Sequence, residues 1–104
     1  MNQFSPVLAF YGKAQVDTRL LPTHQSLYLA LFFLWRQSGC ADLFTVSRKE
    51  LIPLAKLQSI ATYHKCIREL KAFGYIEYHP TYNYYTGSKV RLLFSEERSA
   101  DELL

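Results

Sequence analysis

Two neighbouring helices with well-marked ends constrain this chain more than any other feature of its sequence. Ser47 followed by Glu50 forms a capping box, in which the two side chains satisfy free amides at the start of a helix. Pro53 stands at the sixth position of that helix and predicts that it is short, because proline lacks an amide and its ring clashes with the preceding turn. Ser59 can cap a second helix, which Gly74 can end in a left-handed conformation. The sequence therefore predicts two helices joined by a tight turn.

The second of these helices, residues 59–73, has one apolar face and one basic face. Tyr63, Ile67 and Leu70 recur at helical spacing, with Cys66 beside them, and they predict the face that packs into the core. The opposite face carries Ile60, Ala61, His64, Lys65, Arg68 and Lys71.

A longer helix is predicted upstream, over residues 22–37. Pro22 stands in its first turn, where a missing amide costs nothing, Gly39 follows its end, and Thr23 is an alternative cap. Residues 27–35 are apolar around the whole circumference, so more than one face must be covered. This run is 9 residues long, whereas a membrane span needs roughly 20. We expect one face to pack on this domain and another to meet a partner.

Short β-prone segments flank the helix pair. Residues 43–46 precede the helix that Ser47 caps, which is expected to end near residue 56. Residues 75–79 alternate after Gly74, and residues 88–94 return after a loop, so the two segments predict a hairpin. The predicted order is helix, strand, helix, turn, helix, hairpin.

The two ends of the chain carry weaker signals. Residues 1–22 are an N-terminal arm, in which residues 7–11 fit either a short strand or a segment that caps the core. Residues 95–104 form an acidic tail. Because 104 residues suffice for one core and not for two, we expect a single domain over residues 1–94.

Positive charge is concentrated in the middle of the chain. Residues 47–94 carry eight basic against three acidic side chains, a balance of +5, whereas residues 1–46 carry +1 and residues 95–104 carry −3. This distribution suits a polyanionic partner such as a nucleic acid, and a solvated basic face is the plain alternative.

Several classes of function lack support in the sequence. Cys40 and Cys66 do not form a disulfide framework, and no signal peptide is evident, so a reducing cytoplasm is the simpler setting. His64 and Cys66 are two positions apart on a helix and point away from each other, so no metal site is proposed. The adjacent Tyr84 and Tyr85 lack the histidine pair or arginine clamp that a relaxase or recombinase needs. We expect no enzymatic activity, no cofactor, no small-molecule ligand and no membrane association.

From residue 44 to residue 93, the order of elements resembles the winged-helix family. The segment SIATYHKCIRELKAFGYI, residues 59–76, is similar to the family pattern in which Ser or Thr opens the recognition helix and Gly with an aliphatic pair leads into the wing. In size and layout the chain is similar to small accessory or regulatory proteins of bacterial mobile elements and to initiator domains of plasmid and phage replication. The resemblance implies an α+β winged helix-turn-helix fold with a three-helix core, a short strand and a C-terminal β-hairpin wing.

This resemblance places duplex DNA on the helix of residues 59–73 and on the wing of residues 75–94. The helix spans about 22 Å, and its first turns can enter a major groove about 12 Å wide, where side chains near its start meet base edges or phosphates. Its amide groups also favour a phosphate. Alternation along the last strand places two of its basic side chains on one face. The candidate DNA-binding residues are Ser59, Ile60, Ala61, Thr62, His64, Lys65, Arg68, Lys89 and Arg91.

Two functions fit these features. One is a DNA-binding protein, either a transcriptional regulator or an accessory factor for replication or excision of a mobile element, and the basic charge favours it. The other is a winged-helix module that contacts proteins within a larger complex. The apolar first helix and the tyrosines of the wing, which can equally reach DNA, favour it. These tyrosines are Tyr78, Tyr82, Tyr84 and Tyr85.

A homodimer through the first helix reconciles the two functions. It buries the excess apolar surface of residues 22–37 and places two recognition helices about 34 Å apart on a palindromic site. The alternative is that residues 4–11 fold back over the same helix within one chain.

Overall fold

The computed structural model describes residues 5–81 and 87–93, with side chains from residue 7 onward. These residues form an α+β fold of four helices and a three-stranded antiparallel sheet. No helix in the described residues is long and apolar enough to span a membrane. The predictions for Phe94, the wing tyrosines Tyr82, Tyr84 and Tyr85, and the tail of residues 95–104 lie outside the described residues. The elements are α1 (Ser5–Ala14), α2 (Pro22–Gln37), β1 (Phe44–Val46), α3 (Arg48–Leu54), α4 (Ile60–Ala72), β2 (Ile76–His79) and β3 (Ser88–Leu92).

α2 has the predicted bounds and the predicted proline in its first turn, and the alternative cap at Thr23 is not used. The helix begins directly at Pro22, so Thr23 lies inside it. The amide of Leu21 is satisfied by the Nδ1 of His24 at 2.8 Å. At the other end, Gly39 takes a φ of +82°, and its amide donates to the carbonyl of Arg36 at 3.1 Å. Glycine suits this position because a left-handed residue ends the helix there.

α3 begins at the predicted residue and is short, as predicted. The Oγ of Ser47 accepts a hydrogen bond from the amide of Glu50 at 3.2 Å, and the Glu50 carboxylate accepts from the Ser47 hydroxyl at 3.3 Å. Pro53 lies in the last turn, and the helix ends at Leu54. Lys56 then takes a φ of +58°, which turns the chain toward α4.

α4 also follows the prediction. The Oγ of Ser59 accepts from the amide of Thr62 at 3.1 Å, and Gly74, with a φ of +88°, follows the C-cap Phe73. The predicted core stripe is confirmed, since the buried residues of the helix are Tyr63, Cys66, Ile67 and Leu70.

The N-terminal segment is helical, which corrects two predictions. Residues 7–11 do not form a strand but belong to α1, which caps the core, so the fold has four helices rather than a three-helix core alone. The Phe10 ring stacks on the Tyr28 ring of α2 at 3.9 Å and meets Tyr75 edge-on at 5.2 Å. α1 therefore covers part of α2 within one chain, as the fold-back alternative proposed. Tertiary packing places this helix, because Phe10 contacts rings from α2 and from the residue just before β2.

The sheet has the order β1-β3-β2, so the last strand is central. Phe44 of β1 pairs with Val90, and Ile76 of β2 pairs with Leu92, all four with side chains in the core. Along β3 the residues between them are more exposed. One face of the sheet therefore packs on the helices, and the other faces outward.

Candidate nucleic-acid interface

The exposed face of α4 is the surface that the sequence assigned to DNA. At about 100° per residue, its outward residues span roughly 140° of the helix circumference, opposite the buried stripe. Thr62 is partly buried, and the other residues predicted for this face are exposed: Ile60, Ala61, His64, Lys65, Arg68 and Lys71. The structure therefore brings the helical candidates other than Thr62 together on one face.

The polar side chains at the first turn of α4 form hydrogen bonds within that turn. The hydroxyl groups of Ser59 and Thr62 lie 3.1 Å apart, and the Ser59 oxygen also accepts the Thr62 amide. These hydroxyls, which the sequence suggested for phosphate contacts, satisfy each other. Ile60 between them is 50% exposed, whereas the buried α4 residue Ile67 is 3% exposed.

Six cations on α3, the following turn and α4 have no carboxylate partner among the residues described. The ion pairs within the described residues involve Arg19, Arg91 and two histidines instead. Each of the six side chains belongs to an exposed residue. They are Arg48, Lys49, Lys56, Lys65, Arg68 and Lys71.

The carboxylates of the described residues are all engaged elsewhere. Asp17 pairs with Arg19 at 2.8 Å, and Glu69 lies 2.8 Å from the Nε2 of His24. Glu50 accepts from Ser47 at the cap of α3. The other two, Asp42 and Glu77, pair with Arg91. The two carboxylates on α3 and α4, Glu50 and Glu69, therefore bind Ser47 and His24, and none of the six cations has a carboxylate partner within the described residues.

The two wing candidates share the outward face of β3 but differ from the helical cations in their partners. Arg91 pairs with Asp42 at 2.8 Å and with Glu77 at 2.6 Å, and the hydrogen bond to Asp42 is the main cause of its raised pKa. Lys89 donates to the Thr45 hydroxyl at 2.7 Å. DNA contact by Arg91 stays a prediction, and such a contact would compete with two carboxylates already bound.

A tyrosine pair connects α4 to the base of the hairpin. Tyr63 of α4 lies near Tyr78 of β2 in the core, and the Tyr78 hydroxyl donates to Ser88 of β3 at 3.0 Å. Burial is the main cause of the raised pKa of Tyr63, and the neighbouring Tyr78 adds to it. Sequence reasoning gave Tyr78 only a surface role. The alternation of residues 75–79, which puts Tyr78 on the same side as Ile76, was the signal for its inward orientation.

His24 was likewise given no role from the sequence, and it lies in the core at 1% exposure. Its Nδ1 accepts from the Leu21 amide, so the proton resides on Nε2 and is donated to Glu69. His24 and Glu69 are 45 positions apart, so no local sequence pattern indicates that they meet. The bond fixes α4 against the first turn of α2.

No protein-family model matches the chain, and no curated protein or solved structure is significantly similar to it. Within residues 5–81 and 87–93, no group of three or more His, Cys, Asp or Glu side chains could hold a metal ion. What the surface can do chemically follows from its charge and shape: it can bind a polyanion through unpaired cations and present a small uncharged first turn.

Proposed function

We propose that this chain is a winged helix that binds duplex DNA, with α4 as its recognition helix and the β2–β3 hairpin as its wing. The order of α2, β1, α3, α4 and the hairpin supports the proposal, as does the pairing of β1 with the returning strand β3. The turn of residues 55–59 joins α3 to α4 in a helix-turn-helix arrangement.

The six unpaired cations of α3, the turn and α4 are the observation that carries this function. An ordinary solvated surface intersperses both signs of charge, which lowers its self-repulsion. Here six cations stand against only two carboxylates, Glu50 and Glu69, which bind Ser47 and His24, and the local excess of four positive charges favours a polyanion. Duplex DNA carries one negative charge for about each 1.7 Å of its axis and releases counterions when such cations bind.

The proposed role is that of a transcriptional regulator or an accessory factor for replication or excision of a mobile element, acting in the cytoplasm. Cys40 and Cys66 are both free thiols, which suits a reducing compartment. The wing contributes through Lys89 on the outward face of β3, whose ammonium group has the Thr45 hydroxyl as its one partner among residues 5–81 and 87–93.

Binding to mixed-sequence duplex DNA, measured by fluorescence anisotropy at two salt concentrations, tests the function. Lys65→Ala and Arg68→Ala should each weaken binding; a lost phosphate contact should reduce the salt slope by about one, and a lost base contact should cost about 1 to 3 kcal/mol. Lys13→Ala on α1 is the matched control, since it removes the same charge from another face. Equal affinity of all three variants and the parent rules out α4 as the DNA surface.

A second proposal is that the protein self-associates through α2, which also serves the alternative function of a protein-interaction module. α1 covers the Tyr28 side of α2, but Leu29 and Phe33, one helical turn apart, stay 56% and 47% exposed. Leu8 and Tyr11 of α1 are 65% and 59% exposed. Exposed apolar side chains at helical spacing favour an interface between two copies.

A further inference from the structure

The exposed face of α4 is divided along its length into an uncharged first turn and a cationic remainder. Ile60 and Ala61 occupy the outward positions of the first turn, and the cations begin at Lys65 and continue through Arg68 to Lys71. Ile60 to Lys71 spans about 16 Å at 1.5 Å per residue. The two parts therefore meet different chemical groups when the helix lies in a groove.

The first turn is the part of this face that can be buried at the lowest desolvation cost. It carries no charge, and the hydroxyl groups of Ser59 and Thr62 are already hydrogen-bonded to each other. Burying Lys65 or Arg68 among base edges requires a matching acceptor, since an unpaired buried charge is costly. The first turn of a recognition helix is also the part that generally reaches base edges.

One apolar group is available on a base edge in the major groove, and it is the C5 methyl of thymine. The other base edges present hydrogen-bond donors and acceptors. Ile60 is branched at Cβ, so its side chain has few rotamers and loses little entropy when it makes a contact. A half-exposed, stiff aliphatic side chain is complementary to a methyl group and to no other major-groove feature.

We infer that Ile60 reads a thymine methyl in the DNA site and is thereby a specificity-determining residue of this surface. The inference rests on the proposed DNA binding. The cations from Lys65 onward supply affinity through phosphates or purine edges, whereas Ile60 supplies discrimination between T and C without contributing charge.

The test begins with selection of preferred duplexes from a random pool by the full chain. Each thymine of the selected site is then replaced singly by deoxyuridine, which removes the methyl and keeps every hydrogen-bonding group. At one thymine position per bound chain, the parent should bind the deoxyuridine duplex about fourfold more weakly than the thymine duplex, because burial of one methyl group contributes about 0.8 kcal/mol. Ile60→Ala should bind the thymine and deoxyuridine duplexes equally.

Val16→Ala is the matched control, because it truncates a β-branched aliphatic side chain that is exposed and lies outside the helices. It should retain the full response to deoxyuridine. The measurement on the parent does not depend on any variant folding, and circular dichroism of Ile60→Ala checks its fold.

The outcomes separate the inference from the function on which it rests. Binding that depends on Lys65 and Arg68, with less than a twofold response to deoxyuridine at every thymine, overturns the inference alone. An equal response in Ile60→Ala and the parent also overturns it. Absence of any duplex binding overturns the proposed function and the inference together.

Discussion

The Nε2 of His24 lies 2.8 Å from the Oε1 of Glu69, which joins the first turn of α2 to the middle of α4. The other ring nitrogen accepts the Leu21 amide, so both polar atoms of a side chain at 1% exposure are satisfied. A buried polar side chain with two partners is costly to remove, because both hydrogen bonds are lost and a cavity is left in the core. This contact therefore sets the position of α4 on the core.

Replacement of His24 by alanine should destabilise the fold by about 2 to 4 kcal/mol, because it leaves a cavity and strands the Leu21 amide. Glu69→Gln keeps a neutral acceptor for the Nε2 proton and should cost about 1 kcal/mol. Urea unfolding monitored by circular dichroism gives both values. Surface substitutions usually change stability by about 0.5 kcal/mol or less. A His24→Ala variant whose stability lies within that range of the parent contradicts the structural role of His24.

Truncation of the buried stripe of α4 should destabilise the fold far more than truncation of its exposed face. Ile67→Ala and Leu70→Ala should each lose about 2 to 5 kcal/mol, since these side chains are 3% and 0% exposed. Ile60→Ala on the same helix removes a comparable side chain at 50% exposure and should change stability by about 0.5 kcal/mol or less. Thermal melts of the three variants provide the comparison, and identical melts mean that the register of α4 is wrong.

Replacement of two glycines by alanine should change the stability of the fold in opposite directions. Gly87 has a φ of +71°, and a Cβ there would lie 2.7 Å from the backbone oxygen of Val46. Gly87→Ala should therefore destabilise the pairing of β1 with β3 by about 1 to 3 kcal/mol. Gly12 in α1 has open space around it, so Gly12→Ala should stabilise by up to about 1 kcal/mol. Urea midpoints measure both changes, and a loss of stability at Gly12 with none at Gly87 refutes the prediction.

The stability of the protein should depend on pH through Asp17. Hydrogen bonds from Arg19 and then from the Tyr75 hydroxyl hold the pKa of Asp17 well below its usual range. A depressed folded-state pKa means that the stabilisation is complete above about pH 4 and is lost as the pH falls further. Asp17→Asn should be less stable than the parent at pH 7, and the difference should narrow between about pH 4 and pH 2. Denaturant midpoints at several pH values test this, and a constant difference argues against it.

The stability of the protein should also depend on pH in the alkaline range, through Tyr75. Burial, and next the hydrogen bond to Asp17, raises the pKa of Tyr75 to about 12. Because the folded-state pKa is raised, the contribution is complete below about pH 10 and is lost as the pH rises further. Tyr75→Phe should remove this alkaline loss and should reduce the effect of Asp17→Asn at pH 7. Spectrophotometric titration of the phenolate absorbance checks the direction.

Self-association through α2 should be sensitive to the two exposed residues of that helix. The parent should sediment at micromolar concentration with twice the 12.1 kDa mass of the chain, and a variant with both Leu29→Gln and Phe33→Gln should sediment as a monomer. Val16→Ser changes an apolar side chain that is 82% exposed but lies outside the helices, and it should leave the mass unchanged. A monomeric parent removes the dimer proposal.

Most helix ends were predictable because they depend on local chemistry. Ser47 and Ser59 cap the helices they precede, and Gly39 and Gly74 follow helices in the left-handed conformation that glycine adopts at low cost. The faces of α4 were predictable for the same reason, since periodicity fixes which side chains point together.

The helix α1 was not predictable in the same way. Its place in the fold depends on Phe10 stacking on Tyr28 of α2, a contact between separate elements that no local pattern indicates. The role of Arg91 also escaped sequence reasoning, because its carboxylate partners Asp42 and Glu77 are 49 and 14 positions away.

The sequence by itself determined the capped helices, the hairpin and the basic face of α4, because caps, turns and side-chain periodicity act over a few residues. Only the tertiary structure decided which cations remain without a partner. Arg91 is neutralised by carboxylates brought to it by the sheet, whereas Lys65 and Arg68 are not, since Glu69 beside them is drawn to His24 on α2. Charge pairing depends on which side chains the folded chain brings within a few ångströms, and the order of residues alone does not fix that distance.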